Sequence, residues 1–239
     1  MTEYFEVLDR DGAARLGELR LSTPIRTPAL LDDVLVDGGS LWTADQPMPE
    51  GEADRLTILP HRALPAGTRE EVREAFATDP VDVAFPAAAV VSSDSPRDLG
   101  VDAYILSDAS GFVGHGAGLK DAIIRTKEAL PADTALVASG VATPRNVATL
   151  AYAGVDAFDA KLAKIKGSQG KYLTSDDEAF LEDLDEPPCA CPACQQPRAE
   201  FTRADCIDHN VAALRAELRR VRERIRAGRL RDYIEGQAR

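Results

Sequence analysis

Apolar and polar residues alternate with period two over Tyr4-Phe5-Glu6-Val7-Leu8 and again over Ala14-Arg15-Leu16-Gly17-Glu18-Leu19, with Asp11-Gly12 between them as a tight turn. That pattern predicts an N-terminal β-hairpin. Each proline of Thr23-Pro24-Ile25-Arg26-Thr27-Pro28 biases its predecessor away from helix, so the stretch reads as extended and leads into a first core strand over Ala29 to Leu31. From Asp32 to Asp54 the chain is rich in Gly, Asp and Pro and shows no period, which predicts a long connection.

Short apolar runs then recur at Thr57 to Pro60, Ala87 to Val91, Ala103 to Leu106, Ala135 to Ala138 and Val155 to Phe158. Between them lie stretches of helical period. Arg69 to Ala77 puts Val72, Ala75 and Phe76 on one face, and Lys120 to Leu130 spaces Ile123, Ile124 and Lys127 before a stop at Pro131. A third helix is predicted over Arg145 to Ala153, with Thr143 as N-cap, Pro144 at the first helical position and Gly154 at the end. Strand, loop and helix in alternation predict a parallel α/β architecture whose ligand site lies at the carboxyl ends of the strands. Asp108, Ser139, Gly140 and Asp159 all fall there.

Near the end of the chain Val211, Leu214, Leu218, Val221 and Ile225 repeat at three and four residues, the stripe of an amphipathic helix. Its other face carries Arg215, Arg219, Arg220, Arg222 and Arg226. Two readings fit that face: a solvated surface with Glu217 and Glu223 as intrahelical partners, or an RNA contact.

Charge sharpens the second reading. The 239 residues carry a net charge of −12, which opposes free attraction to nucleic acid and suits a surface adapted to concentrated salt, although an ordinary acidic protein shares the composition. All six lysines lie between Lys120 and Lys171, and four of them (Lys161, Lys164, Lys166 and Lys171) crowd the segment after Asp159. That concentration predicts a local phosphate contact at the rim of the site, with a solvated loop as the plain alternative. No apolar run is long enough to span a membrane and the Met1-Thr2-Glu3 start lacks a signal-peptide pattern, so the expected location is cytoplasmic.

All four cysteines, with one of three histidines, fall in one window: Cys189, Cys191, Cys194, Cys206 and His209. The spacing C-x-C-x2-C-x14-H supplies the thiolate and imidazole donors of a structural zinc site, with Cys206 and His209 competing for the fourth position. A redox pair, a disulfide and accidental clustering are the competing explanations. A closed metal site fixes a local fold, so reactive groups are sought elsewhere. Asp159, at the end of a predicted strand, is placed to act as nucleophile or base, or simply as a helix N-cap. Asp108 opens a small-residue loop, Asp108-Ala109-Ser110-Gly111-Phe112, and no phosphate-loop or dinucleotide glycine motif occurs in the chain.

Three pieces resemble the tRNA-guanine transglycosylase family. They are Asp11-Gly12-Ala13-Ala14-Arg15-Leu16-Gly17 with Thr27-Pro28-Ala29; Gly140-Val141-Ala142-Thr143-Pro144 with Gly154-Val155-Asp156-Ala157-Phe158-Asp159; and Tyr172-Leu173-Thr174 with Cys189, Cys191, Cys194 and His209-Asn210. The resemblance implies a reduced or modified (β/α)8 TIM-type barrel over residues 1–186, with the hairpin at its N-terminal end, and a zinc-binding module with the Arg-rich helix over 187–239. It implies zinc on Cys189, Cys191, Cys194 and His209, tRNA as partner, and Asp159 on the nucleophile that attacks ribose C1′. Asp108, Lys161, Lys164, Lys166 and Lys171 are then the expected substrate contacts.

The family's Asp-Ser-Gly-Gly-Phe-Gln loop is absent and the middle of the barrel is short. These departures are similar to the N-terminal portion of archaeal archaeosine synthase alpha subunits, which act on tRNA carrying a 7-deazaguanine at position 15. Three functions follow as expectations: a transglycosylase-like module, with a separate domain or subunit supplying amino-acid transfer and PUA-type RNA binding; an active base-exchange enzyme using Asp159; and a non-catalytic zinc-stabilised partner subunit. A homo-oligomer is left open.

Overall fold

The computed structural model describes residues 3–37, 50–61, 68–69, 71–72, 82–184, 187–196 and 201–237. The period-two segments form the predicted hairpin. Strand β1 (Phe5–Asp11) pairs antiparallel with β2 (Ala14–Leu19), and β3 (Ile25–Thr27) adds to the far side of β2.

Seven further strands, β4 (Ala29–Leu30), β5 (Leu35–Asp37), β6 (Leu56–Ile58), β7 (Ala87–Val91), β8 (Ala103–Leu106), β9 (Ala135–Ala138) and β10 (Ala157–Phe158), make one sheet in the order β4-β10-β9-β8-β7-β6-β5. Every adjacent pair is parallel. Read around the sheet, β5 to β10 follow chain order and are succeeded by β4, the strand that precedes β5 in the chain. That is the winding of a TIM-type barrel opened between β4 and β5, an α/β curled half-barrel.

Alternate side chains of these strands enter two clusters. Ala88, Ala103, Ile105, Ala135, Val137 and Ala157 pack with Phe5, Leu19 and Leu31, so the N-terminal sheet closes over one face. Tyr104, Leu106, Leu136, Ala138 and Phe158 pack outward against Leu119 and Ile123 of α1 (Gly116–Ala129), Val147 and Leu150 of α2 (Val147–Tyr152), and a later helix. Strands buried on both faces read as continuous apolar runs, which is why four- and five-residue runs carried the prediction.

Where details differ, tertiary contacts explain the difference. Helix α2 begins at Val147, two residues after the expected Arg145, and Thr143 is not its cap. The Thr143 N–H instead donates to Asn146 Oδ1 (2.8 Å), and Asn146 Nδ2 donates to Val141 O (2.8 Å), so a side-chain-closed turn occupies the expected first helical turn. Strand β10 spans only the second half of Val155 to Phe158, and β5 emerges from the stretch expected to be a plain connection. Most of the helix expected over Arg69 to Ala77 lies outside the described residues.

After β10 come α3 (Lys161–Ser168), the small antiparallel pair β11 (Lys171–Leu173) and β12 (Glu178–Phe180), the single turn α4 (Pro192–Gln195), α5 (Arg203–Arg226) and α6 (Leu230–Gln237). Thr202 and Asp205 close a capping box at the start of α5. Burial of Leu214, Leu218, Val221 and Ile225 fixes the inward face of α5, each side chain contributing about 1.5–3 kcal/mol relative to exposure. At Gly167 a Cβ would lie 2.7 Å from the Ile207 Cα, so only glycine allows α3 and α5 to approach this closely. No helix among the described residues is long and apolar enough to cross a membrane.

Candidate active site and metal centre

Because all seven strands of the main sheet are parallel, the residues following them share one edge. Asp32 follows β4, Ser92 and Ser93 follow β7, Asp108 follows β8, Ser139 and Gly140 follow β9, and Asp159 follows β10. The sheet therefore brings Asp108, Ser139, Gly140 and Asp159 to the carboxyl end, through segments that are far apart in sequence.

Asp159 is 5% exposed, and both its oxygens are engaged. Oδ1 accepts from the Gly140 N–H (2.9 Å) and the Lys161 N–H (3.1 Å), while Oδ2 accepts from Ser139 Oγ. The Lys161 ammonium lies 3.5 Å from Oδ2 and 3.3 Å from Ser139 Oγ, with its side chain 68% exposed. Gly140 has φ +72°, which turns its N–H onto the carboxylate, and its neighbour across the gap is Ser110 of the β8 loop. Three hydrogen bonds and a neighbouring cation fix the carboxylate in direction.

Asp108 is held in a similar way. The Ser93 N–H lies 3.2 Å from both its oxygens and Ser93 Oγ donates to Oδ2. The four lysines divide into two pairs. Lys161 and Lys164 stand at the carboxyl edge, Lys164 Nζ reaching Asp32 Oδ1 (3.0 Å). Lys166 and Lys171 both bind Glu178 of β12, away from Asp159, and these bonds hold the Glu178 carboxyl below its usual range. Sequence reasoning missed Asp32 and Ser93. Asp32 stands directly beyond Ala29 to Leu31 much as Asp159 stands beyond Phe158, and that equivalence was the available signal; Asp32 Oδ2 accepts from the Ala160 N–H at 2.9 Å.

The second constellation is the Cys/His window. Ligand atoms of Cys189, Cys191, Cys194 and His209 all lie within 4.8 Å of one another, a group able to hold a metal ion. Cys206 is outside it, buried in α5 with its Sγ donating to Lys171 O (3.3 Å), and burial pushes its thiol up to about 11. His209 Nε2 lies 2.9 Å from Leu173 O; a carbonyl only accepts, so Nε2 carries the proton and Nδ1 turns its lone pair toward the sulfurs. Nδ1 is 3.5 Å from Cys191 Sγ and 3.4 Å from Cys194 Sγ. The Tyr172 ring stacks on the imidazole with centroids 3.7 Å apart, and its hydroxyl lies 3.4 Å from Cys194 Sγ.

Burial pushes Cys194 up to about 12 and His209 below its ordinary value, so the pocket disfavours bare thiolates and imidazolium. A cation in the pocket reverses that preference for the thiols and takes the place of their protons. Asn210, next to His209, accepts from the Leu173 N–H and donates to Ala163 O and Lys171 O, tying the centre to α3 and β11. The Cys/His group thus sits against the helix that leaves Asp159.

The sequence model of the queuine tRNA-ribosyltransferase family matches residues 91–239, the segment holding Asp108, Asp159 and the Cys/His group. An archaeosine synthase of Haloferax volcanii is 65% identical over 239 residues, all of this chain and 41% of the relative. An archaeosine synthase subunit alpha of Methanosarcina acetivorans is 37% identical, covering all of this chain and 43% of the relative. A tRNA-guanine(15) transglycosylase of Haloferax volcanii is 33% identical over 92% of this chain and 42% of its own length. The chain spans less than half the length of these curated relatives.

Proposed function

Because the chain belongs to the queuine tRNA-ribosyltransferase family, we propose that it is the transglycosylase-like module of an archaeosine-synthase-type protein. In this reading it holds tRNA in the cytoplasm for modification of the 7-deazaguanine at position 15. A further domain or subunit supplies amino-acid transfer and PUA-type RNA binding. Residues 1–186 form the barrel-like part and 187–239 the metal-stabilised module.

One observation carries the reading: similarity to the Haloferax archaeosine synthase runs along the whole chain. The carboxyl edge supports a docking role. Both oxygens of Asp159 already accept hydrogen bonds and a lysine stands beside one of them, which lowers the nucleophilicity of the carboxylate relative to an unbonded one. Lys161 and Lys164 are the lysines placed to meet phosphate at that edge, with Asp108 on its neighbouring loop. The purified chain is expected to bind an archaeal tRNA transcript saturably in molar KCl; absence of affinity defeats the reading.

A second reading, base exchange through Asp159, is favoured by the placement of that carboxylate at the sheet's carboxyl edge. In it an Asp159 oxygen bonds ribose C1′ as the bond from C1′ to the base breaks, and an incoming base reverses the step. It requires an RNA adduct that survives denaturation and disappears in Asp159→Asn.

For the metal, zinc fits the donors. Tetrahedral geometry at Zn–S about 2.3 Å and Zn–N about 2.0–2.1 Å puts sulfur and nitrogen about 3.5 Å apart, against 3.4 and 3.5 Å here. Zinc there would clamp the local fold. One zinc per chain is expected by elemental analysis, retained in Cys206→Ser and lost in His209→Ala; the opposite pattern would move the fourth ligand to Cys206.

A further inference from the structure

The outer face of α5 departs from a solvated surface neutralised by its own acidic residues. Between residues 215 and 231 there are eight arginines and two acidic residues, a local charge of +6 in a chain of −12. Glu217, one of the two acids, is 2% exposed: it accepts from Tyr233 of α6 and from Arg220, and so does not serve the solvent face. Arg224 lies over the Tyr233 ring on the same side.

Arg215, Arg219, Arg222 and Arg226 form a separate stripe. At 3.6 residues per turn they fall within about 60° of one another and run about 16 Å along the helix. Two are anchored to the barrel. Arg215 pairs with Asp33 just beyond β4 (2.9 Å), and Arg222 donates to the carbonyl of Pro28 just before it. The stripe therefore follows β4 from its amino end to the carboxyl edge where Asp32 and Lys164 stand. Arg219 and Arg226 are exposed and make no hydrogen bond or ion pair among the described residues. Burial together with Arg219 and Arg226 presses Arg222 below its ordinary value, so the guanidiniums already repel one another. Packing like charges side by side is costly unless a polyanion covers them.

We propose that the Arg215–Arg219–Arg222–Arg226 stripe is the track on which the phosphodiester backbone of a structured RNA lies, guiding it toward the Asp159 edge. The inference rests on the tRNA-binding reading and names the surface that would carry it. Guanidinium forks bind phosphate oxygens bidentately at contact distance, so such contacts persist where salt screens the long-range field. They carry no base information, and any structured RNA of similar length should engage them.

The test measures binding of the full chain to a tRNA transcript and to an unrelated structured RNA across a salt series, by fluorescence anisotropy. The variants are Arg219→Gln/Arg226→Gln, its Lys/Lys counterpart, and Arg224→Gln/Arg231→Gln off the stripe. The stripe variant is expected to lose about tenfold in affinity for both RNAs, and its log K against log[salt] slope should shrink by about 1.5–2. The Lys/Lys and off-stripe variants should keep the wild-type slope, and thermal unfolding identical to wild type excludes misfolding. If the unaltered chain binds and the stripe variant matches it in affinity and slope, the track is wrong while the tRNA reading stands. If the unaltered chain binds neither RNA, both fail together.

Discussion

Strand β10 is flanked by two aspartates that share a chain segment and almost nothing else. Asp156, at the amino end, is 1% exposed and receives the Arg15 guanidinium through Nε (2.8 Å) and Nη2, with the Leu136 N–H (2.7 Å) and Lys127 beside it. Arg15 gives two further hydrogen bonds to Ala132 O and Thr134 O, so a buried polar network fastens the N-terminal sheet to the barrel. Asp159, at the carboxyl end, is held just as firmly by Ser139, Gly140 and Lys161, but its cation is exposed and its loops come from separate strands. In a parallel half-barrel one end of a strand secures the fold and the other presents groups outward. The same residue type therefore tells nothing until the end of the strand is known.

The comparison is broken most forcefully by removing one partner of the buried pair. Arg15→Met leaves the buried Asp156 carboxylate with only Lys127 and the Leu136 N–H beside it and should cost about 3 kcal/mol or more of unfolding free energy, measured in denaturant. Asp159→Asn keeps the shape but turns one accepting oxygen into an amide donor and removes the pairing with Lys161, and should cost less, about 1–2 kcal/mol. Equal losses at the two positions would erase the distinction. Gly167→Leu tests the support beneath the carboxyl edge: its side chain must displace the Ile207 backbone, and overpacking predicts a loss of about 1–3 kcal/mol or more.

Acid and base responses sharpen the contrast further. Burial presses Lys127, beside Asp156, down to about 8 from 10.5 despite the nearby carboxylate. The folded state then binds fewer protons than the unfolded state between those values, so this group makes stability rise as pH climbs from about 8 toward 10.5. That component should vanish in Lys127→Met. Glu178 behaves oppositely. Its pKa is lowered by hydrogen bonds from Lys166 and Lys171, so its contribution is present above the ordinary carboxylate range and is lost as pH falls through the depressed value. Glu178→Gln should flatten the acid limb slightly, the smallest effect of the series because the pair is half exposed.

Much of this was legible in the chain. The hairpin follows from alternation about Asp11-Gly12, and the parallel strands from short apolar runs such as Ala135 to Ala138, because sheets buried on both faces leave that mark. The Cys/His window was visible because donor type and spacing are local. What escaped notice depends on partners distant in sequence. Asn146 competes with Thr143 for the start of α2 through a turn that propensity rules do not see. Glu217 looked like a surface partner of arginines, and only α6 folding back over it makes it a buried acceptor for Tyr233. Lys166 and Lys171 looked equivalent to Lys161 until α3 turned Lys166, and the pairing of β11 with β12 brought Lys171, to Glu178.

Hydrogen–deuterium exchange of the full chain, with and without a saturating archaeal tRNA transcript, tests the division of β10 most directly. Protection is predicted in the loops holding Ser93, Asp108, Gly140 and Lys161 and along Arg215 to Arg226, with no change at Arg15, Leu136 or Asp156. Protection centred on the Arg15–Asp156 end, or none anywhere with tRNA bound, would contradict the account.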